Sequence, residues 1–134
     1  MSSTILSNLQ YLTQIKQPQS NQPVMIECFA TWCPPCRAAI PHLAQMTKEY
    51  SNIYIVSVSQ EPIGTVQQLK DKMQPMKFYN LAVDQSGSLQ KLMTQHQVNG
   101  IPHAFIFDAA GQLMWHGHPM DEECKESLEV LNIV

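Results

Sequence analysis

The sequence predicts an α/β fold: a mixed sheet of about five strands flanked by helices. Three observations carry this. Stretches of helical and strand periodicity alternate along the chain, which is the pattern of a sheet covered by helices. Val24 to Ala30 and Ile53 to Val58 are nearly continuous apolar runs, as expected of parallel strands buried on both faces. The last two strands are joined by the short turn Asp108 to Gly111, so the sheet must end in an antiparallel hairpin. At 134 residues the chain fits one domain over 1–134 and can bury a core without metal or disulfide staples.

The elements follow in order. Ile5, Leu9, Leu12 and Ile15 recur at spacings of three and four, with Leu6 beside them. They predict an amphipathic helix over 3–16, capped by Ser3 or Thr4. Residues 17–23, with two prolines, end it. The strand from Val24 carries Glu27 in its middle, a carboxylate where burial is expected. Residues 34–50 form a helix that opens on Pro34 and Pro35, which fit only a first turn. Cys36, Ile40, Leu43, Thr47 and Tyr50 make its inward stripe, and Pro41 lies in its interior. A strand at Ile53 to Val58 is followed by a helix over 64–73, with Val66, Leu69 and Met73 inward. Phe78 to Val83 is a short strand, Asp84 to Gly87 a turn, and 88–97 a short helix. Ala104 to Phe107 and Leu113 to His116 form the hairpin. A helix over 121–132 closes the chain, with Asp121, Glu122 and Glu123 complementing the macrodipole at its start.

Composition narrows the function. The net charge of −3 and the absence of any Lys/Arg run argue against nucleic-acid binding through phosphates. No stretch approaches the about 20 apolar residues of a membrane span. The segment from Met1 to Asn8 lacks a basic region followed by an apolar one, so a cytoplasmic location is expected. The four cysteines are too few for a disulfide scaffold in a chain of this size. Two of them, Cys33 and Cys36, stand close together and demand a chemical explanation.

Thiol exchange needs a thiolate, access for a partner disulfide, and a second thiol that releases the mixed disulfide. A Cys-x-x-Cys pair at a strand-to-helix junction supplies all three, because the helix N-terminus favours the thiolate. Cys36 shares the stripe of Ile40 and Leu43 and is expected to point inward as the resolving thiol. Cys33 precedes the helix and is expected at an exposed tip as the nucleophile. Pro34 and Pro35 carry no N–H, which leaves the Cys36 N–H as the nearest backbone donor to Cys33. The same pair could be half of a zinc site, but zinc sites want a second cysteine pair or a spaced histidine pair. His116 and His118 are only two apart, and no metal or other cofactor is assigned.

The segments Phe29-Ala-Thr-Trp-Cys-Pro-Pro-Cys-Arg37 and Gly100-Ile-Pro-His-Ala-Phe-Ile-Phe-Asp108, with Gly111 and Trp115-His-Gly117, resemble the thioredoxin superfamily in its redoxin or TlpA-like branch. The resemblance spans most of residues 24–131. It implies a thioredoxin-like fold in which Cys33 is the reactive cysteine and Cys36 the resolving one. It also implies that Pro102, after Ile101, is the cis-proline that helps present backbone to substrate, and that Glu27 is the buried acid. An inserted helix–strand unit is implied around 62–83. Three departures stand out. The first strand of thioredoxin proper is missing, Glu replaces Asp at position 27, and His103 replaces Thr after Pro102.

The remaining candidates are weighed on their chemistry. A buried Glu27 would titrate high and could shuttle a proton to Cys36; at a strand end or paired with a cation it would be structural. Cys28 faces the opposite side of the sheet and Cys124 shares a helical face with Leu128 and Leu131, so both are assigned to the core. His103 could stabilise the thiolate or be a plain strand residue, and His96 is read as a packed helix histidine. Substrate contacts are assigned to Trp32, Pro34, Ile101, Pro102 and His103. The expected function is thiol–disulfide exchange with protein disulfides by a monomer that serves electron transport and redox homeostasis. A reductase or small thiol would act as electron donor. A metal or iron–sulfur binder using the same cysteines, a redox-inert protein-binding module and a peroxidase are the competing classes.

Overall fold

A computed structural model describes residues 2–133. Helix α1 (Ser2–Ser7) leads into β1 (Leu9–Thr13), followed by β2 (Val24–Phe29) and α2 (Pro34–Glu49). Then come β3 (Tyr54–Ser59), α3 (Ile63–Lys72), a 3₁₀ turn (Gln74–Phe78), β4 (Asn80–Asp84) and α4 (Ser88–Gln95). The hairpin β5 (His103–Phe107) and β6 (Leu113–Gly117) precedes α5 (Glu122–Leu131). The six strands form one sheet in the order β1-β4-β3-β2-β5-β6. Strands β2, β3 and β4 run parallel, while β1, β5 and β6 pair antiparallel with their neighbours. No described helix is long and apolar enough to cross a membrane.

Both faces of the sheet are covered, which is why β2, β3 and β4 are buried at every position. Met25, Phe29, Ile55, Leu81 and Ile106 meet α2, α3 and α5 on one face. Ile26, Cys28, Val56, Val58 and Phe105 meet α1 and α4 on the other. Side chains alternate along a strand, so Glu27 shares the face of Met25 and Phe29, the face that α2 covers. The stripe of α2 is buried as its spacing requires: Cys36, Ile40, Leu43, Thr47 and Tyr50 all face the sheet or its rim. The hairpin turn closes on Asp108, whose Oδ1 accepts from the N–H groups of Ala110 and Gln112 at 2.9 Å. Gly111 there has φ +87°, a left-handed conformation that glycine adopts without strain.

The N-terminal expectation is corrected. The helix covers only Ser2–Ser7; Leu9–Thr13 is a strand at the edge of the sheet, antiparallel to β4, which makes the sheet six-stranded. The helix stops because Ser7 Oγ and Asn8 Nδ2 both donate to the Thr4 carbonyl, at 2.9 Å each. Leu9 and Tyr11 then pack on one face of the sheet and Leu12 on the other, as strand alternation requires, and a bulge follows between Tyr11 and Thr13. A strand covered on both faces thus places apolar residues three apart, the spacing that one face of a helix also produces. Two smaller boundaries also move. Phe78 ends the 3₁₀ turn and β4 starts at Asn80. Helix α4 ends at Gln95, with His96 as its C-cap.

Candidate functional site

The site grows from the junction of β2 and α2. Cys33 is the N-cap of α2, with extended backbone at φ −93° and ψ 110°. Pro34 and Pro35 fill the first positions of the helix, where an N–H has no intrahelical partner. The Cys36 N–H donates to Cys33 Sγ at 3.2 Å, so the N-cap interaction that serine or aspartate usually makes is made here by sulfur. Cys33 and Cys36 are joined as a disulfide, with Cα atoms 5.2 Å apart.

The expected exposure of Cys33 is corrected. Cys33 is only 3% exposed and Cys36 only 1%. The cover comes from the loop before β5: the Ile101 carbonyl oxygen lies 3.6 Å from Cys33 Sγ. Ile101–Pro102 is a cis peptide, and Pro102 is buried. Exposed side chains surround the covered sulfurs. Trp32 is 69% exposed, and Pro34 is exposed beside it.

Glu27 is completely buried. Its Oε1 accepts from Ser57 Oγ at 2.5 Å, and its Oε2 has no partner among the described residues. Burial pushes its carboxyl up to about 8, against the smaller opposing pull of the Ser57 bond. The carboxyl therefore titrates near neutrality, where a group can both hold and release a proton. The other two thiols are poor nucleophiles. Burial, with the Glu27 charge nearby, raises Cys28 well above its usual range. Burial, with Asp121 and Glu27, pushes Cys124 up to about 12.

His103 sits elsewhere than the reading beside the sulfurs requires. Its ring lies on the α4 face of the sheet, where Nε2 is 2.9 Å from His116 Nδ1 and the ring packs 5.1 Å from Phe105. His96 joins the same cluster, 5.2 Å from the His116 ring. No hydrogen bond links His103 to either sulfur among the described residues. No group of three or more His, Cys, Asp or Glu among the described residues is arranged to hold a metal ion.

One residue at the junction escaped sequence reasoning. Glu61 lies just past β3 and reaches the loop before Cys33 with both carboxylate oxygens, 2.8 Å from the Thr31 nitrogen and 2.7 Å from Thr31 Oγ1. The segment Ser59-Gln60-Glu61 carries no motif; only the strand order β3-β2 brings its end beside the end of β2.

Comparison with known proteins agrees with this geometry. A family profile described as thioredoxin-like matches residues 21–113. A thioredoxin of Aspergillus fumigatus, Asp f 28, is 38% identical over 47 residues, covering 35% of this chain and 44% of that protein. The thiol:disulfide interchange protein DsbE of Haemophilus influenzae is 31% identical over 93 residues, 69% of this chain and 49% of that protein. The chain thus spans less than half the length of these curated relatives. Among solved structures, the exposed lipoprotein thioredoxin of Streptococcus pneumoniae superposes with a TM-score of 0.69 at 21% identity, covering 84% of this chain and 87% of that one. At that identity the likeness speaks for the fold alone.

Proposed function

Because this chain belongs to the thioredoxin-like family, we propose that it is a thiol–disulfide oxidoreductase that exchanges electrons with protein disulfides through Cys33 and Cys36. One observation carries the reading. A cysteine pair joined as a disulfide caps the N-terminus of α2, with the Cys36 N–H aimed at the Cys33 sulfur.

The reaction balances as two sulfur exchanges. In the reduced protein the Cys33 thiolate attacks one sulfur of a partner disulfide. That bond breaks, the other partner sulfur leaves as a thiolate, and a mixed disulfide joins Cys33 to the partner. Cys36 then gives up its proton and attacks the Cys33 sulfur. The mixed disulfide breaks, and the partner leaves with both sulfurs reduced. Two electrons reach the partner, whose two thiolates take their protons from solvent, and the Cys33–Cys36 disulfide remains. Cys33 is the nucleophile because the helix terminus and the Cys36 N–H favour its anion. Cys36 is the resolving thiol, and Glu27, on the sheet face that α2 covers, is the group that takes its proton. Trp32, Pro34, Ile101 and Pro102 form the rim that a partner chain would touch. His103, turned to the other face, shapes the far side of that rim. In a reducing compartment such as the cytoplasm the pair works as a reductant, recharged by a reductase or a small thiol.

The test is trapping. Reduced Cys36→Ser protein mixed with oxidised insulin should accumulate a mixed disulfide through Cys33, and Cys33→Ser should accumulate none. Wild-type protein that leaves insulin disulfides intact, or a Cys33→Ser variant that still reduces them, overturns the proposal.

A further inference from the structure

We infer that Glu61 is a positioning residue for the redox pair: its carboxylate grips Thr31 and so holds the Thr31–Trp32–Cys33 corner in the conformation that keeps the Cys36 N–H on the Cys33 sulfur. The inference rests on the thiol-exchange reading above and names a residue that acts through that site.

Strand β2 ends at Phe29 and α2 begins at Pro34, so the residues between them have no ladder or helix to fix them. The Cys33 N–H donates to the Ala30 carbonyl at 3.3 Å, which closes the corner with one long bond. The rest of the hold falls on Thr31. Its N–H donates to Glu61 Oε1 at 2.8 Å and its hydroxyl to Glu61 Oε2 at 2.7 Å. Its carbonyl accepts from Arg37 Nη1 at 2.7 Å. All three polar groups of this one residue are therefore taken by charged side chains, two by an acid beyond β3 and one by a base on α2. Bonds to charged partners are about twice as strong as neutral ones.

Glu61 is itself fixed before it reaches Thr31. Ser59 Oγ donates to Glu61 Oε1 at 2.7 Å and accepts from the Glu61 N–H at 3.0 Å. Gln85 Nε2 donates to the Glu61 carbonyl at 2.9 Å. The chain of support runs from a buried strand end, through Glu61, to Thr31, and ends at the nucleophile two residues on. Glu61 also shares a groove with Trp32, Met93 and Ile101, so the clamp borders the surface where a partner would lie. During exchange the Cys33 sulfur changes partner twice while Cys36 must stay in reach. A corner that drifts by about 1 Å costs on the order of a hundredfold in such steps. An exposed tryptophan has little contact of its own to prevent that drift.

Two effects of Glu61 on Cys33 oppose each other, and this makes the inference testable. As a nearby negative charge, Glu61 would disfavour the thiolate. As a clamp, it would favour the thiolate by keeping the Cys36 N–H in place. The rate of Cys33 alkylation by iodoacetamide, followed against pH in the reduced full chain, separates the two. Glu61→Ala should move the midpoint up by about one pH unit and slow insulin reduction about tenfold. Glu61→Gln keeps an acceptor for the Thr31 N–H and loses the charge, so its midpoint should not rise. Thr31→Val, which removes only the hydroxyl, should shift the midpoint part of the way, and adding it to Glu61→Ala should change nothing further. A midpoint that falls in both Glu61 variants would mean that Glu61 acts only as a charge. A wild-type midpoint and rate in Glu61→Ala, with nothing lost but thermal stability, would make it a structural residue. Both results overturn the inference. Should Glu61→Ala fail to fold, a wild-type midpoint in Thr31→Val overturns it as well. Alkylation reads the clamp whether or not the protein reduces insulin, so failure here and failure of the exchange reading are told apart.

Discussion

Replacing Glu27 by Gln should flatten the dependence of stability on pH above pH 5. The carboxyl is completely buried, and its one hydrogen bond comes from Ser57. Inside the fold it titrates at about 8, against 4.5 for the free side chain. Between those values the folded protein holds a proton that the unfolded chain has released. The folded state binds more protons, so stability falls as pH rises. Below pH 4.5 both states are protonated and the contribution is whole; it is lost progressively up to about pH 8 and is constant above. The slope is about 1.4 kcal/mol per pH unit, on the order of 5 kcal/mol over the window. Gln does not ionise, and its Oε1 can still accept from Ser57. Its amide group, placed where Oε2 has no partner, adds an offset that does not vary with pH. The assay is urea unfolding of the oxidised wild type and Glu27→Gln at intervals from pH 4 to 9. The difference between the two should shift steadily in favour of the variant as pH rises. Parallel profiles across that range would refute the argument and remove Glu27 as a proton carrier near neutrality.

Two further predictions follow from packing and from the histidine cluster. Both His103 and His116 are held below the usual imidazole value, mainly by burial and then by neighbouring histidines. The unfolded chain therefore takes up protons first as pH falls through 6.5, and stability drops on the acid side. His116→Gln should shrink that loss, read as the change in melting temperature between pH 7.5 and 5.5; an unchanged loss refutes it. A Cβ at Gly117 would lie 2.7 Å from Trp115 Cζ2 and 2.9 Å from Cη2, so Gly117→Ala must displace the indole. It should cost about 1–3 kcal/mol in urea unfolding, and a neutral variant would show that the ring moves freely.

How much was legible in the sequence depended on how local each signal was. The stripe of α2 could be read from spacing, since residues three and four apart must share a helix face. The burial of Glu27 followed from its place inside a strand apolar on both sides. The Cys33–Cys36 pairing was visible because one turn of helix brings the sulfurs together. β1 carries the spacing of a helix because Leu9 and Leu12, three apart, pack on opposite faces of a strand covered on both sides.

The chain alone determined where the sulfurs stand, which of them lies inside the helix, and which backbone donor Pro34 and Pro35 leave free, because each follows from a few covalently adjacent residues. What covers Cys33, where the His103 ring turns and what grips Thr31 were decided only by the tertiary structure. Ile101, His116 and Glu61 reach those places from distant stretches of chain that the sheet order sets side by side. No spacing within a sequence records which strand ends become neighbours, and the control of this site lies at those ends.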